Sequence, residues 1–173
     1  MPRLVQKSIT DHITFLNKQI KQLHNQIHQL IDQHPDLKEK KRLLTTIPGI
    51  GDITSADFLA EVPDIDQFES ASQLAAFAGL TPSHRQSGSS LKTKGRMSKM
   101  GNKRLRTMFY MPATVAKTHN PIVRRLVDRL AKRGKAPCTI RGAIMRQLLH
   151  IAFGVLKNGI PFDPNYGNHK TTS

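Results

Sequence analysis

The sequence predicts an all-α chain: an N-terminal coiled-coil helix, a helix-hairpin-helix, and a basic helical domain that carries a loop rich in Ser, Gly and Lys. Three observations predict it. A heptad of apolar residues runs through the first 34 positions, the turn Pro48-Gly49-Ile50-Gly51 separates two short apolar segments, and the later segments repeat apolar residues at helical spacing. A chain of 173 residues with 38% hydrophobic content supports one ordinary domain plus an extension. The expected organisation is a coiled-coil helix over 1–34, a helix-hairpin-helix region over 40–82, a basic domain over 83–164 and a disordered tail over 165–173.

The heptad comes first. In SITDHITFLNKQIKQLHNQIHQLIDQH, Ile9, Ile13, Leu16, Ile20, Leu23, Ile27 and Leu30 alternate spacings of four and three. Ile13, Ile20 and Ile27 take position a, and Ile9, Leu16, Leu23 and Leu30 take position d, a choice that favours two parallel strands. The partner is another copy of the chain or another helix. Ser8 or Thr10 is the expected cap, and Pro35 ends the helix near His34. His24 and His28 lie four apart, with His12 and His34 nearby. No carboxylate or third histidine is fixed beside them, so they read as solvated flanking positions rather than metal ligands.

In LLTTIPGIGDITSADFLAEV, Leu43, Leu44 and Ile47 end one short helix, and Ile53, Ala56, Phe58, Leu59 and Ala60 open a second. The glycine turn between them matches the helix-hairpin-helix pattern, in which backbone N–H groups at a helix N-terminus meet a phosphate. Gly49, Ile50 and Gly51 are therefore candidate phosphate contacts. The plainer reading is an αα-hairpin that turns on glycine for packing alone. DIDQFESASQLAAFAGLTP then reads as an acidic turn and a helix capped near Ser70 and stopped at Gly79, with Leu74, Phe77 and Leu80 in the core.

Residues 83–101 have no apolar period and read as a loop or short strands on a basic surface. Three helices follow. One spans about Asn102 to Lys117, with Leu105, Met108, Phe109 and Val115 inward and a kink at Pro112. The next opens on Asn120-Pro121, runs through Ile122, Val123, Leu126, Val127 and Leu130, and stops at Gly134. The last covers about Thr139 to Asn158, with Ile140, Ile144, Leu148, Ile151, Ala152 and Val155 inward and Gly159 just past its end.

Charge narrows the function. The formal net charge is +15 and the sequence pI is near 10.5, which calls for a polyanionic partner. Between His84 and Arg146 stand 17 Lys and Arg against the single Asp128, whereas the rest of the chain is nearly balanced. A merely solvated face does not explain why carboxylates are missing there; a binding surface does. Cys138 is the single cysteine, which excludes an intrachain disulfide and a cysteine-rich zinc site and fits a reducing cytoplasm. No apolar run approaches the roughly 18 residues a membrane span needs, and no signal segment follows Met1, so a cytoplasmic, nucleoid-associated protein with no membrane partner is expected.

Leu43 to Gly51 (LLTTIPGIG), Leu74 to Pro82 (LAAFAGLTP), Gln86-Ser87-Gly88, Ser98 to Leu105 (SKMGNKRL) and Arg146 to Leu149 (RQLL) together resemble the C-terminal domain of insertion-sequence transposases of the IS one-ten type. These are the DEDD transposases, some of which use a bridging RNA to choose DNA sites. The resemblance covers roughly residues 40–160. It implies DNA transposition: an N-terminal RuvC-like nuclease domain supplies four carboxylates that bind divalent metal, Mg²⁺ being expected, and a coiled coil links it to a helical domain that supplies a serine. The family serine matches Ser87. This sequence opens at Met1 almost directly with the coiled coil, so the RuvC-like domain is expected to be absent and the chain alone to be an incomplete enzyme. No cofactor and no metal ligand is expected within it; Asp57 and Glu61 read as a solvated helix face, amid Asp52, Asp64, Asp66 and Glu69.

The residues around Ser87 supply part of the chemistry such a role needs. A serine hydroxyl is a weak nucleophile, and attack on a phosphodiester requires a base, an in-line leaving oxygen and cations on the non-bridging oxygens. Arg85, Lys92, Lys94, Arg96, Lys99, Lys103, Arg104 and Arg106 are candidate phosphate clamps, Gly88 allows close backbone approach, and His84 is a conceivable base. Composition alone leaves Ser89 and Ser90 as equal candidates; the resemblance selects Ser87.

Expected partners are double-stranded DNA, a bridging RNA as in some members of the family, and a second copy of the chain through the coiled coil. The rival reading is a non-catalytic transposase remnant that dimerises and coats nucleic acid non-specifically. A basic ribosome-associated or repair protein shares the hairpin and the charge but does not predict Gln-Ser-Gly followed by SKMGNKRL. Aromatic content of 5% makes stacking on single strands a poor fit.

Overall fold

The computed structural model describes residues 3–83, 96–98 and 100–165, the side chains of Ser83 and Arg96 excepted. The described chain is all-α apart from one pair of two-residue strands. In order it comprises α1 (Arg3–Gln33), α2 (Pro35–Thr45), α3 (Asp52–Glu61), a 3-10 turn (Ile65–Gln67), α4 (Ala71–Phe77), β1 (Pro82–Ser83), β2 (Arg96–Met97), α5 (Lys103–Met108), α6 (Tyr110–His119), α7 (Pro121–Lys132) and α8 (Pro137–Asn158). Two compact units result, Met1–Lys38 and Glu39–Ser173.

The first unit is dominated by α1. Its 31 residues already run from Arg3, so Ser8 and Thr10 do not cap it. Thr10 and Thr14 instead donate their hydroxyls to the carbonyls of Gln6 and Thr10, each at 2.9 Å, the bond a threonine makes inside a helix. His34 lies outside the helix, as Pro35 demands. Pro35 then opens α2, where its missing N–H costs nothing. All seven heptad residues from Ile9 to Leu30 are exposed, at 41% to 57%.

The second unit is built around α8. Helices α4, α6 and α7 each pack on it, and α3 packs beside α5. On α8, Ile144, Met145, Leu148, Leu149, Ala152 and Val155 are buried along one broad stripe, and Gly159 ends the helix with φ 64°. Facing them are Leu44, Ile47, Phe58, Leu74, Leu105 and Phe109, all fully buried. The Phe58 and Phe109 rings meet edge to face, 6.0 Å between centroids. Burying each such side chain contributes about 1.5–3 kcal/mol before conformational entropy is subtracted.

Three sequence expectations are corrected here. The helix expected from Asn102 to Lys117 is two helices, and the break falls at Phe109 rather than Pro112. Pro112 has no N–H to offer, and its ring crowds the carbonyl four residues back, so the chain ends α5 at Met108 and restarts with Pro112 inside the first turn of α6. Val115 is 47% exposed because α6 buries Pro112, Ala113 and Ala116 instead, small residues that let neighbours approach closely. Phe77 is 42% exposed: α4 turns Leu74, Ala75 and Ala78 inward, and about 100° per residue carries Phe77 off that face, where its ring packs on Phe68 at 5.4 Å.

The expected caps at Ser70 and Asn120 are present. Ser70 caps α4 by accepting from the amide of Gln73, and Gly79 takes φ 68° after it. Asn120 caps α7 by accepting from the amides of Ile122 and Val123, with Pro121 at the first helical position.

Candidate nucleic-acid interface

The turn between α2 and α3 is closed by the amide of Ile50 donating to the carbonyl of Ile47 at 2.9 Å. Pro48 and Gly49 occupy its two central positions, with Gly49 at φ 108°, a region that an L side chain rarely enters. Gly49 is also confined in space: a Cβ there would lie 2.8 Å from the Cβ of Ala116 and 2.9 Å from the carbonyl of Pro112. The Asn120 amide donates to the Pro48 carbonyl at 3.3 Å, so the cap of α7 also holds the turn. Packing against α6 therefore accounts for Gly49.

Gly51 is different. It is the N-cap of α3, exposed, with no side-chain cap, and nothing lies within 4 Å of where its Cβ would be. Ile50 is buried, and its backbone amide is already spent on the Ile47 carbonyl. At the α3 N-terminus the carboxylate of Asp52 is held by Lys41 at 3.1 Å.

At the other end of α3, Glu61 draws in the start of α5. Its carboxylate accepts from the Asn102 side-chain amide at 2.7 Å and pairs with Arg104 at 3.6 Å. Asn102 simultaneously caps α5 by accepting from the Leu105 amide, and its own backbone amide donates to the Phe77 carbonyl at 2.7 Å. Gly101 makes that approach possible: with φ 124°, a Cβ would fall 2.2 Å from the Phe77 carbonyl oxygen. Arg106 donates to the Ala78 carbonyl at 3.2 Å. Glu61 is thus a structural anchor rather than part of a solvated face, and its side chain is only 20% exposed.

The two groups of candidate phosphate contacts among the described residues therefore sit apart. Gly49, Ile50 and Gly51 lie at the N-terminal end of α3, whereas Lys103, Arg104 and Arg106 lie where α5 meets its C-terminal end. Ten residues at 1.5 Å each separate them by about 15 Å. Arg104 remains 86% exposed despite its ion pair, and Lys103 is exposed; Arg106 is half-buried.

Ser87, Arg85, Lys92, Lys94 and Lys99 lie outside the described residues, as does the side chain of Arg96. What the structure does describe is where the chain leaves and returns. Pro82 pairs with Met97 and Ser83 with Arg96, antiparallel, and the Ser98 amide donates to the Thr81 carbonyl at 2.9 Å. Met97 packs against the core, close enough to Gly142 of α8 that a Cβ there would meet its methyl at 2.5 Å.

Two further carboxylates near the hairpin are occupied. Asp64 accepts from the amide of Asp66, and Asp66 pairs with Lys157 at 2.6 Å, a hydrogen bond and charge that hold the Asp66 carboxyl below its ordinary pKa. Among the described residues no three His, Cys, Asp or Glu side chains gather as a metal site would require. His150 on α8 has a lowered pKa, chiefly from burial and then from the charge of Arg146, and its Nε2 is buried without a hydrogen-bond partner.

The second unit thus joins a glycine hairpin to a run of cationic helices. The family model described as the transposase IS116/IS110/IS902 family matches residues 41–128, half of the chain, and the chain belongs to that family. It is 40% identical over 159 residues to the pilin gene-inverting protein of Moraxella bovis, covering 91% of this chain and 49% of that protein. It is 30% identical over 156 residues to the IS110 insertion element's uncharacterized 43.6 kDa protein of Streptomyces coelicolor, covering 90% of this chain and 37% of that one. With the transposase for insertion sequence element IS1111A of Coxiella burnetii it shares 34% identity over 110 residues, 60% of this chain and 30% of that protein. The chain spans about half the length, or less, of these curated relatives. Among the described residues no helix is long and apolar enough to cross a membrane.

Proposed function

We propose that this chain is the DNA-binding, serine-bearing part of an insertion-sequence transposase and exchanges DNA strands through Ser87. One observation carries the reading: the family match, residues 41–128, encloses the hairpin, Gln86-Ser87-Gly88 and the cationic start of α5 in one block. The names of relatives, a transposase and a pilin gene-inverting protein, support DNA rearrangement as the class of activity.

In the proposed step the Ser87 hydroxyl oxygen attacks a phosphorus of the DNA backbone. A bond from serine oxygen to phosphorus forms and the bond to one bridging sugar oxygen breaks. The serine proton passes to a base, for which His84 is the candidate, and the released sugar oxygen takes up a proton. Attack by the hydroxyl of a second strand reverses the sequence and frees Ser87, so no external energy source is needed. Arg104 and Lys103 place positive charge where α5 begins, next to the return of the chain at Arg96–Met97. Asp52, Glu61, Asp64 and Asp66 are each engaged elsewhere, and among the described residues no three metal-ligating side chains gather. Metal binding is accordingly assigned to the carboxylates of a RuvC-like domain, and no step above is routed through it.

Two partners complete the proposal. The exposed seam from Ile9 to Leu30 pairs with a second copy of the chain, since a heptad of isoleucine at a and leucine at d gains stability by leaving water. A bridging RNA is the second nucleic acid. The test incubates the chain with a RuvC-like domain, Mg²⁺, RNA and element-end DNA and looks for a protein–DNA adduct on a denaturing gel. An adduct lost in Ser87→Ala supports the reading. No adduct, despite salt-sensitive DNA binding, replaces it with a DNA-binding module that lacks chemistry.

A further inference from the structure

Helix α7 divides sharply into two faces. Val123 is fully buried, Val127 packs against the core, and α7 as a whole lies on α6 and α8, so its apolar side is spent within the fold. The opposite side carries Arg124, Arg125, Arg129 and Lys132, all exposed, and continues into Arg133 and Lys135 past the helix end.

These cations are poorly compensated. Asp128 is the one carboxylate on the face, and among the described residues no ion pair engages Arg124, Arg129, Lys132, Arg133 or Lys135. Arg125 donates to the Pro164 carbonyl at 3.3 Å and, among the described residues, pairs with no carboxylate. Arg125 and Arg129 are like charges four apart on the helix, an arrangement that costs the helix stability unless an anion lies across them. On α2, by contrast, Glu39 binds Arg42 through two hydrogen bonds.

We propose that this face of α7 is a backbone-contact surface for double-helical DNA, additional to the hairpin turn and to α5. A membrane surface does not fit, because an interfacial helix must insert an apolar face that α7 has already buried. Single-stranded or looped RNA is read by stacking on aromatic rings, and this face has none. Arg125, Arg129 and Lys132 instead place point charges along about 10 Å of a straight helix, suited to the regular phosphates of a duplex. The inference rests on the DNA-binding reading above and adds a surface to it.

The test measures binding of the full chain to a short labelled DNA duplex by fluorescence anisotropy across a salt series. Each phosphate contact contributes about 0.9 to the slope of log K against log salt. The triple variant Arg125→Gln, Arg129→Gln, Lys132→Gln should flatten that slope by about 2 to 3, with circular dichroism unchanged. A control removing three exposed charges from α1, Lys7→Gln, Lys18→Gln, Lys21→Gln, should flatten it far less. If the triple variant fails to fold, Arg129→Gln alone should flatten the slope by about 0.9. An unchanged slope, or equal flattening by the α1 control, overturns the surface while leaving DNA binding in place. Loss of binding to an RNA hairpin but not to the duplex assigns the face to RNA and overturns it as well. A chain that binds no duplex at all overturns the proposed function itself.

Discussion

Gly101 shows how little freedom a single residue can have. Its φ of 124° and its closeness to the Phe77 carbonyl mean that any side chain must push the start of α5 away from the end of α4. Gly101→Ala should therefore destabilise the second unit by about 1–3 kcal/mol in urea unfolding, from backbone strain and displaced packing. Gly51→Ala, with open space and φ −100°, meets no clash and should cost only about 0.5–1 kcal/mol, the preference of an N-cap for glycine over alanine. His150 offers a pH handle. Burial lowers its pKa in the folded chain below the ordinary 6.5, so as pH falls the unfolded chain takes up a proton first. The stability it contributes is complete above that ordinary value and declines as pH drops toward the lowered one. His150→Gln should remove this part of the acid-side decline, seen as a flatter plot of melting temperature against pH; an unchanged plot would reject burial as the cause.

At the scale of the element, caps were legible in the sequence and long-range anchors were not. Asn120-Pro121 and Ser70 announce their helices because a cap is decided within three residues. The anchor of α5 is invisible in that window: Glu61 and Asn102 are 41 positions apart, so nothing in Asp57 or Glu61 signals which of them is taken up by another helix. The break at Phe109 was misplaced for a related reason, since a proline disturbs the turn before itself rather than its own position. The glycine hairpin was read for its backbone freedom, but the neighbours that explain Gly49, Pro112 and Ala116, belong to α6. Asn120→Ala should lose both the α7 cap and the bond to the Pro48 carbonyl, at about 1–3 kcal/mol, whereas Asn120→Asp should recover the cap part. Equal losses in the two variants would show that the cap contributes nothing. In α1, Ile20→Lys should convert a paired chain to a monomer in sedimentation, because a charge at position a cannot be buried between two helices; an unchanged mass would dismiss the pairing.

The molecule as a whole separates a charge-balanced portion from a cationic one, and that division was readable from composition alone: nearly all the excess charge lies between His84 and Arg146. The sequence did not show how the cations are distributed in space. The fold sets the start of α5 about 15 Å from the hairpin turn, and it turns the cationic side of α7 outward. On the DNA-binding reading proposed above, this arrangement predicts an affinity for DNA that falls steeply with salt and varies little with sequence. The chemistry proposed for it is narrower, since one serine of three in Gln86 to Ser90 must form the bond to phosphorus. The measurement that tests this most directly is peptide mapping by mass spectrometry after nuclease trimming of an adduct formed in the complemented reaction. A nucleotide mass on Ser87 is the predicted result; the same mass on Ser89 or Ser90, or on no serine, would contradict the account.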